Sequence, residues 1–518
     1  MGKRAGESAS SAGRATGFQA SLFALAVVGF SCLIGWELSA VFSPSLPLLS
    51  FCDIKDAIAV RCVSVLTLSA AFGFFAWRAD WFYVNKDRLV PCALVASLLP
   101  MAAALANSVA GSLPLAALIA AWALLGVAQA VFATYWCVFF SLTDSSLTMK
   151  TVVSGGFGGT LLFVIANATG ELWVSMLEMC LMLAASVSVA VMLLHGLPKE
   201  SIPRASEFRR VPDLSLLAFF SVVSCGAVYG FMSIEVCYQG PIAALVGGAS
   251  GVFGVALAFL WYRLGSRVDL DVGIVQRISL PLLVASLLMM PLFEGPVRIF
   301  WACVALAALA HNQMFTWFSV SIENYEFRLH PVRRFALRQM PSWIGFFVGC
   351  ILAFAAGFVF KLSGEGLYLL TGVFAVLLVV AFSVYGGDES KNKQRLDSLI
   401  DAAAQTAVAV AGVDAAAQAE GDMRADAGTS AGEPAGGSND SFYAESFQAR
   451  CDEMASEFSL TPRESEVLSL LAKGRNAEYI ANQLVVTPAT IKSHIYHIYQ
   501  KLGVNSQQRL MDLVDEGE

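Results

Sequence analysis

Between residues 18 and 386 the chain is a succession of apolar runs of about twenty residues, separated by short polar or basic connections. Twelve runs can be read: 18–42, 57–77, 89–108, 114–142, 152–169, 173–194, 214–234, 241–262, 274–293, 298–320, 339–361 and 366–386. A run of about 20 apolar residues is what a helix needs to cross roughly 30 Å of hydrocarbon. Lipid offers backbone N–H and C=O groups no partner, so each run is forced into a helix. The pattern predicts an all-α chain: a polytopic twelve-helix membrane bundle at 18–386, preceded by a tail at 1–17. A small four-helix domain is expected at the C-terminal end.

Charge orders the runs. With the 1–17 tail in the cytoplasm, that tail and the even-numbered connections hold eighteen Lys and Arg, against four on or near the other side (Lys55, Arg61, Arg298 and Lys361). This is the positive-inside bias, and it places both termini in the cytoplasm. Eight of the ten Trp fall near run ends, as an interfacial belt requires. The first run is longer than a signal-peptide core, and no small-x-small site follows it at the right place, so it reads as a retained span.

Composition narrows the class. Hydrophobic residues make up 57% of the chain and charged residues 14%, against about 25% charge in soluble domains. An ordinary soluble enzyme and a disordered chain are both excluded. Eleven Cys without a C-x-x-C pair exclude a disulfide scaffold or a thiol metal site. Walker, HExxH, GxSxG and dinucleotide patterns are missing, so no enzyme activity, metal or cofactor is expected. The net charge of −7 gives no global sign of nucleic-acid binding; any such role must rest on a local site.

The longest basic connection ahead of the tail, 195–213, divides the runs six and six, into halves 18–194 and 214–386. Trp77-Arg78 and Trp261-Tyr262-Arg263 close the second run of each half. This layout resembles the major facilitator fold, built of two six-helix halves. That family's Gly-x-x-x-Asp-Arg-x-Gly-Arg-Arg loop survives only as Arg78-Ala79-Asp80 and Asn85-Lys86-Asp87-Arg88. The resemblance implies that runs one, four, seven and ten line a central cavity. Polar groups inside spans are functional candidates because burying them is costly. Those for ligand sensing are Trp36 and Glu37, Arg61, Gln129, Tyr229, and the consecutive His311, Asn312 and Gln313. Gly155-Gly156-Phe157-Gly158-Gly159 sits inside an apolar run and reads as a helix-packing or hinge element.

From 387 to 441 the chain turns to Ala, Gly, Ser and acidic residues, a flexible linker. Domain 442–518 follows. Tyr443, Phe447, Cys451, Met454 and Phe458 recur at four, four, three and four, one face of a helix. Thr461 and Glu464 flank Pro462 in a capping box, and Gly474 ends the helix they start. A short helix with Ile480, Ala481 and Leu484 follows. Thr487 caps a third, basic helix, and a fourth occupies about 506–515. Two helices with a tight turn, the second longer and basic, make a helix-turn-helix.

The runs Leu-Thr-Pro-Arg-Glu-Ser-Glu-Val-Leu-Ser-Leu-Leu-Ala-Lys-Gly, Ile-Ala-Asn-Gln-Leu and Thr-Ile-Lys-Ser-His-Ile-Tyr-His-Ile-Tyr-Gln-Lys-Leu-Gly-Val, within 460–504, resemble the LuxR-type DNA-binding domain of the NarL/FixJ group. Tyr479, His497 and Gln507 depart from it, standing where Glu, Asn and Arg are usual. Ile491, Ile495 and Ile498 should face inward, with Lys492, Ser493 and Tyr496 on the opposite face. The resemblance makes those three the major-groove contacts, and Thr490 and Lys501 phosphate contacts. His494 also matches a family position, where it either meets DNA or helps pack the helix.

Six basic and seven acidic residues over 459–518 leave this module at −1, so a single copy should bind DNA weakly. Pairing through the last helix would set two recognition helices about one turn apart. The expectation is a membrane-bound one-component transcription regulator of a bacterial inner membrane. Its partners are DNA, the lipid bilayer and a small-molecule inducer. The alternative is a secondary transporter with a regulatory DNA- or protein-binding tail.

Overall fold

The computed structural model describes residues 2–42, 54–110, 114–143, 145–168, 172–198, 202–209, 211, 214–238, 240–265, 272–362 and 365–381. In the tail it describes 447, 450–455, 458, 460, 462–475, 480, 491, 494–495, 498–499, 501–502, 504 and 507–515. The chain divides into two compact units, Met1–Ala402 and Ala403–Glu518. The linker expected at 387–441 lies outside the described residues.

Among the described residues the first unit is helical apart from its connections, two of which meet in an isolated β-bridge between Arg209 and Leu329. Its helices are α1 (Gly2–Phe42), α2 (Ile54–Trp77), α3 (Ala79–Ala110), α4 (Leu115–Phe140), α5 (Ser145–Ala168), α6 (Leu172–Gly196) and α7 (Leu216–Tyr238). There follow α8 (Pro241–Ala249), α9 (Gly251–Gly265), α10 (Val272–Met289), α11 (Pro296–Phe327), α12 (Pro331–Phe354) and α13 (Glu365–Ala381). Each of the twelve apolar runs falls on a helix. Nine of these segments are long and apolar enough to cross a membrane; Ser279–Leu292 and Glu365–Ala381 are shorter apolar helices. The third run lies in α3, and the eighth is shared by α8 and α9. The chain is a multi-pass membrane protein on this pattern. Helix α1 begins at Gly2, so the segment ahead of its apolar part, Ser21–Phe42, is continuous with the same helix.

Two hydrophobic cores hold the unit. One gathers α1 to α6 and takes Met314, Trp317 and Phe335 from the second half. The other gathers α7, α8 and α10 to α13 and takes Phe42, Ile58 and Phe163 from the first, whereas Val255 of α9 joins the first core. Phe30 of α1 sits at the seam, with ring centroids 5.6 Å from Trp136, 5.1 Å from Phe140 and 5.4 Å from Trp317. Edge-on aromatic pairs of this kind are favoured by ring quadrupoles. The outward faces are apolar as well. Leu369, Val373, Val376 and Val380 of α13 are exposed at spacings of four, three and four, a stripe suited to lipid.

Glycine sets how closely helices approach. Gly226 and Gly230 of α7 meet Gly345 and Gly349 of α12. A Cβ on Gly226 would strike the Ser342 carbonyl, and one on Gly345 the Val223 carbonyl. This is the small-x-x-x-small contact that lets membrane helices touch backbone to backbone. The 155–159 glycines act alike: Gly155 packs on Phe30, Gly158 on Ser31 and Gly159 on Ile34, which joins α5 to α1.

Candidate functional site

The tail module has its own core. Cys451, Val467, Leu468, Leu471, Ile480, Ile491, Ile498, Leu510 and Val514 are buried together, with Phe447, Met454, Phe458 and Ile495 packed against them. The inward face expected of Ile491, Ile495 and Ile498 is therefore present, and so is the face begun by Phe447 and Cys451. Tyr443 lies outside the described residues. Burial pushes up both the Cys451 thiol and the Tyr499 phenol.

Helix α14 (Pro462–Ala472) opens on Pro462, as a first-turn proline should. It ends where Gly474 takes φ +75°. Gly474 N–H donates to Leu471 O at 2.9 Å and Arg475 N–H to Leu470 O at 3.1 Å, the two bonds of a Schellman cap. Gln507, the first residue of α15 (Gln507–Asp515), donates its amide to the carbonyls of Leu471 (2.9 Å) and Arg475 (3.1 Å). At this departure from the family pattern, Gln507 closes the end of α14.

Among the predicted DNA contacts, Thr490, Lys492, Ser493 and Tyr496 lie outside the described residues. His494 is half-buried. Lys501 donates from Nζ to Glu464 Oε2 at 2.7 Å, and the Glu464 side chain is almost wholly buried. Lys501 thus ties the third helix of the motif to the first turn of α14.

In the bundle three of the predicted polar residues come together. The Arg61 guanidinium of α2 donates to the Val41 carbonyl of α1 and from Nη1 to Cys237 Sγ of α7 at 3.8 Å. It also lies over the Phe346 ring of α12, 5.9 Å from its centroid. Tyr229 of α7 stacks edge-on against Phe346 at 5.1 Å and is within electrostatic reach of both Arg61 and Glu37. Sequence reasoning missed Cys237 and Phe346, whose roles depend on helix pairing rather than on residue type.

The other candidates are dispersed. Trp36 is fully buried, and its indole N–H has no partner among the described residues. It lines a small cavity of about 20 Å³ with Ser97, Met101, Trp122, Met176 and Met179. Gln129 is half-buried on α4. His311, Asn312 and Gln313 do not converge, because neighbours on a helix point about 100° apart. His311 Nδ1 is 2.8 Å from Ser279 Oγ on α10, whereas Gln313 donates to Gln339 Oε1 on α12 at 3.3 Å. No group of three or more potential metal ligands occurs among the described residues.

A second polar assembly joins three connections on the basic side of the bundle. Arg209 of the central connection donates its N–H to Arg328 O at 2.9 Å, and Tyr83 OH donates to Pro203 O at 3.0 Å. His330, which caps α12, lies with Nε2 3.1 Å from Asp80 Oδ1. Tyr83, Phe208 and His330 pack ring against ring. Burial lowers the His330 imidazole, an effect that Asp80 offsets only in part. Burial and nearby Glu207 push Tyr83 up to about 12. Asp87 of α3 is engaged separately: its Oδ1 accepts from Tyr135 OH of α4 at 2.8 Å.

Residues 458–514 match the family described as GerE, bacterial regulatory proteins of the luxR family. A protein described as an HTH-type transcriptional regulator of Mycobacterium bovis is 43% identical over 54 residues, 10% of this chain and 6% of that relative. The chain therefore spans only a small fraction of the length of the curated relatives it matches. Among solved structures, the xylose transporter XylE of E. coli aligns with a TM-score of 0.49 at 13% identity, over 71% of this chain and 96% of that one. A bacterial homologue of the iron transporter ferroportin aligns with a TM-score of 0.48 at 15% identity, over 71% and 98%. The chain thus carries a LuxR-type helix-turn-helix domain at its C-terminal end and a helical membrane domain ahead of it.

Proposed function

We propose that this chain is a membrane-bound one-component transcription regulator. Its helical bundle senses a small molecule, and its tail binds DNA sequence-specifically through the third helix of the motif. The observation that carries this reading is the collinear match over 458–514, with the buried isoleucines of that helix in the register the motif requires. Lys492, Ser493 and Tyr496 supply a cation, a hydroxyl and an aromatic donor for base edges in the major groove. Thr490 and Lys501 meet phosphates, and His494 flanks the contact.

A module with net charge −1 neutralises few phosphates. Pairing of two copies through the α15 helix supplies the missing affinity, each copy reading one half-site. The twelve runs read from the sequence and the excess of Lys and Arg on one side support placing both termini in the cytoplasm of a bacterium, where the tail can meet the chromosome.

The test is transcript mapping in cells that carry Lys492→Ala. Target transcripts should lose their regulation while the amount of protein in the membrane stays the same. Unchanged transcripts would overturn the DNA-binding role. Concentrative uptake of a substrate by vesicles holding the purified protein would favour a transporter instead.

A further inference from the structure

Arg61 is a guanidinium held inside a membrane domain, and among the described residues no carboxylate pairs with it. Among the described residues its partners are the Val41 carbonyl, the Cys237 thiol and the face of Phe346. The other groups in electrostatic reach are the thiols of Cys62 and Cys350 and the phenol of Tyr229, none of them a carboxylate. Arginine keeps its proton at any physiological pH, so the charge cannot be relieved by titration. A buried charge without a counter-ion is strongly unfavourable, and membrane domains retain one chiefly where it has work to do.

The surroundings say what would complete it. A guanidinium has five N–H donors in a planar fork. The carbonyl and the thiol occupy only part of that fork, and the side chain is not fully buried. Around it the rings of Phe42, Tyr229, Phe346 and Trp343 form a continuous aromatic wall. Successive centroids lie 6.4, 5.1 and 5.4 Å apart. Helices α1 and α2 come from one half of the bundle, and α7 and α12 from the other. A molecule bound here would touch both halves.

We infer that the Arg61 cluster is a binding site for a small organic monoanion, with a carboxylate on the guanidinium and a flat apolar body on the aromatic wall. The inference rests on the sensor reading above and names the class of ligand sensed. A planar carboxylate pairs with the fork through two parallel N–H···O bonds, which a point cation cannot reproduce.

The full chain in phosphatidylcholine nanodiscs provides the test, with benzoate as the probe. Benzamide is its uncharged analogue, and acetate its analogue without a ring. Benzoate should raise the thermal midpoint in a dose-dependent way, as any ligand of the folded state does, and benzamide and acetate should not. Arg61→Lys should weaken benzoate about tenfold through loss of the planar fork, and Arg61→Gln should abolish binding. Phe346→Leu, which keeps the charge, should erase the preference for benzoate over acetate and covers the case in which Arg61→Gln does not fold. Equal effects of benzoate and benzamide, or unaltered benzoate affinity in Arg61→Lys, would overturn the site. Stabilisation by phosphatidylglycerol in the bilayer, with none by benzoate, would assign the guanidinium to a lipid headgroup and overturn it too. A protein that ignores benzoate yet still regulates through Lys492 leaves the regulator reading standing and removes only this one.

Discussion

Lys501 Nζ lies 2.7 Å from Glu464 Oε2, joining the end of the third helix of the motif to the first turn of α14. Glu464 is nearly inaccessible, whereas Lys501 keeps about a third of its side chain in solvent. Stripping one partner from a pair whose carboxylate is buried leaves a charge with reduced compensation. Lys501→Ala should therefore destabilise the module by about 1–3 kcal/mol, at the low end of buried pairs because Lys501 is partly solvated. Hydrogen exchange of the α14 amides in the full chain reads this directly. The variant also separates two roles. A phosphate contact predicts that the salt dependence of DNA binding falls by about one unit of slope. A purely architectural lysine predicts an unchanged slope and rescue of stability by Glu464→Gln.

His330 and Asp80 make the assembly of connections sensitive to acid. Burial holds the imidazole below its ordinary value, and Arg333 adds to this, while Asp80 opposes it. The packed form therefore favours neutral His330, whose Nδ1 accepts the Arg333 N–H at 3.4 Å. Protonation would put a hydrogen on that acceptor and weaken the cap of α12. The sign follows: the contact is at full strength above about pH 6.5 and is lost as pH falls through and below that value. Glu207, near Tyr83, is another acid in this cluster. Protection of the 202–209 amides, after correction for the intrinsic pH dependence of exchange, should fall as pH drops below about 6.5 in the wild type. His330→Gln should flatten that profile.

How far these features could be read from the chain depends on how local their cause is. The apolar runs and the 458–514 motif arise from neighbours within a few turns, so residue order exposes both. The inward register of Ile491 and Ile498 follows from spacing alone. The Arg61 site does not: Arg61, Cys237 and Phe346 are more than a hundred residues apart, and only helix pairing unites them. His311, Asn312 and Gln313 show the converse. Adjacency in sequence suggested one cluster, and helical geometry sends them to different neighbours. The Gly226-x-x-x-Gly230 and Gly345-x-x-x-Gly349 spacings were legible in principle, but no single helix reveals which partner it meets.

Glu235 and Arg298 offer a test of pairing across the second half. Arg298 Nη2 donates to Glu235 Oε2 at 2.5 Å, linking the end of α7 to the start of α11. Both side chains are mostly buried. Glu235→Gln alone should lower the thermal midpoint, since it leaves the guanidinium with a weaker acceptor. The charge-swapped double variant Glu235→Arg with Arg298→Glu should recover a good part of the loss, and each single swap should be worse than Glu235→Gln. A double-mutant cycle that closes with no interaction energy would show that the contact contributes nothing to stability.

Gly345 tests whether the α7–α12 contact holds the bundle together. A Cβ at Gly345 would meet the Val223 carbonyl and the Ala227 amide nitrogen, backbone atoms that cannot rotate aside. Relief requires the two helices to separate, with loss of dispersion along the whole seam. Gly345→Ala should destabilise the membrane domain by about 1–3 kcal/mol, and Gly345→Leu should prevent assembly. Gly372 on α13 is the matched control. It is also a helical glycine in an apolar segment, but a Cβ there meets nothing within 4 Å. Gly372→Ala should be neutral or slightly stabilising, because alanine is the better helix former. Thermal unfolding of the two variants in the same detergent decides the matter. Equal midpoints would mean that the close approach of α7 and α12 is incidental to stability.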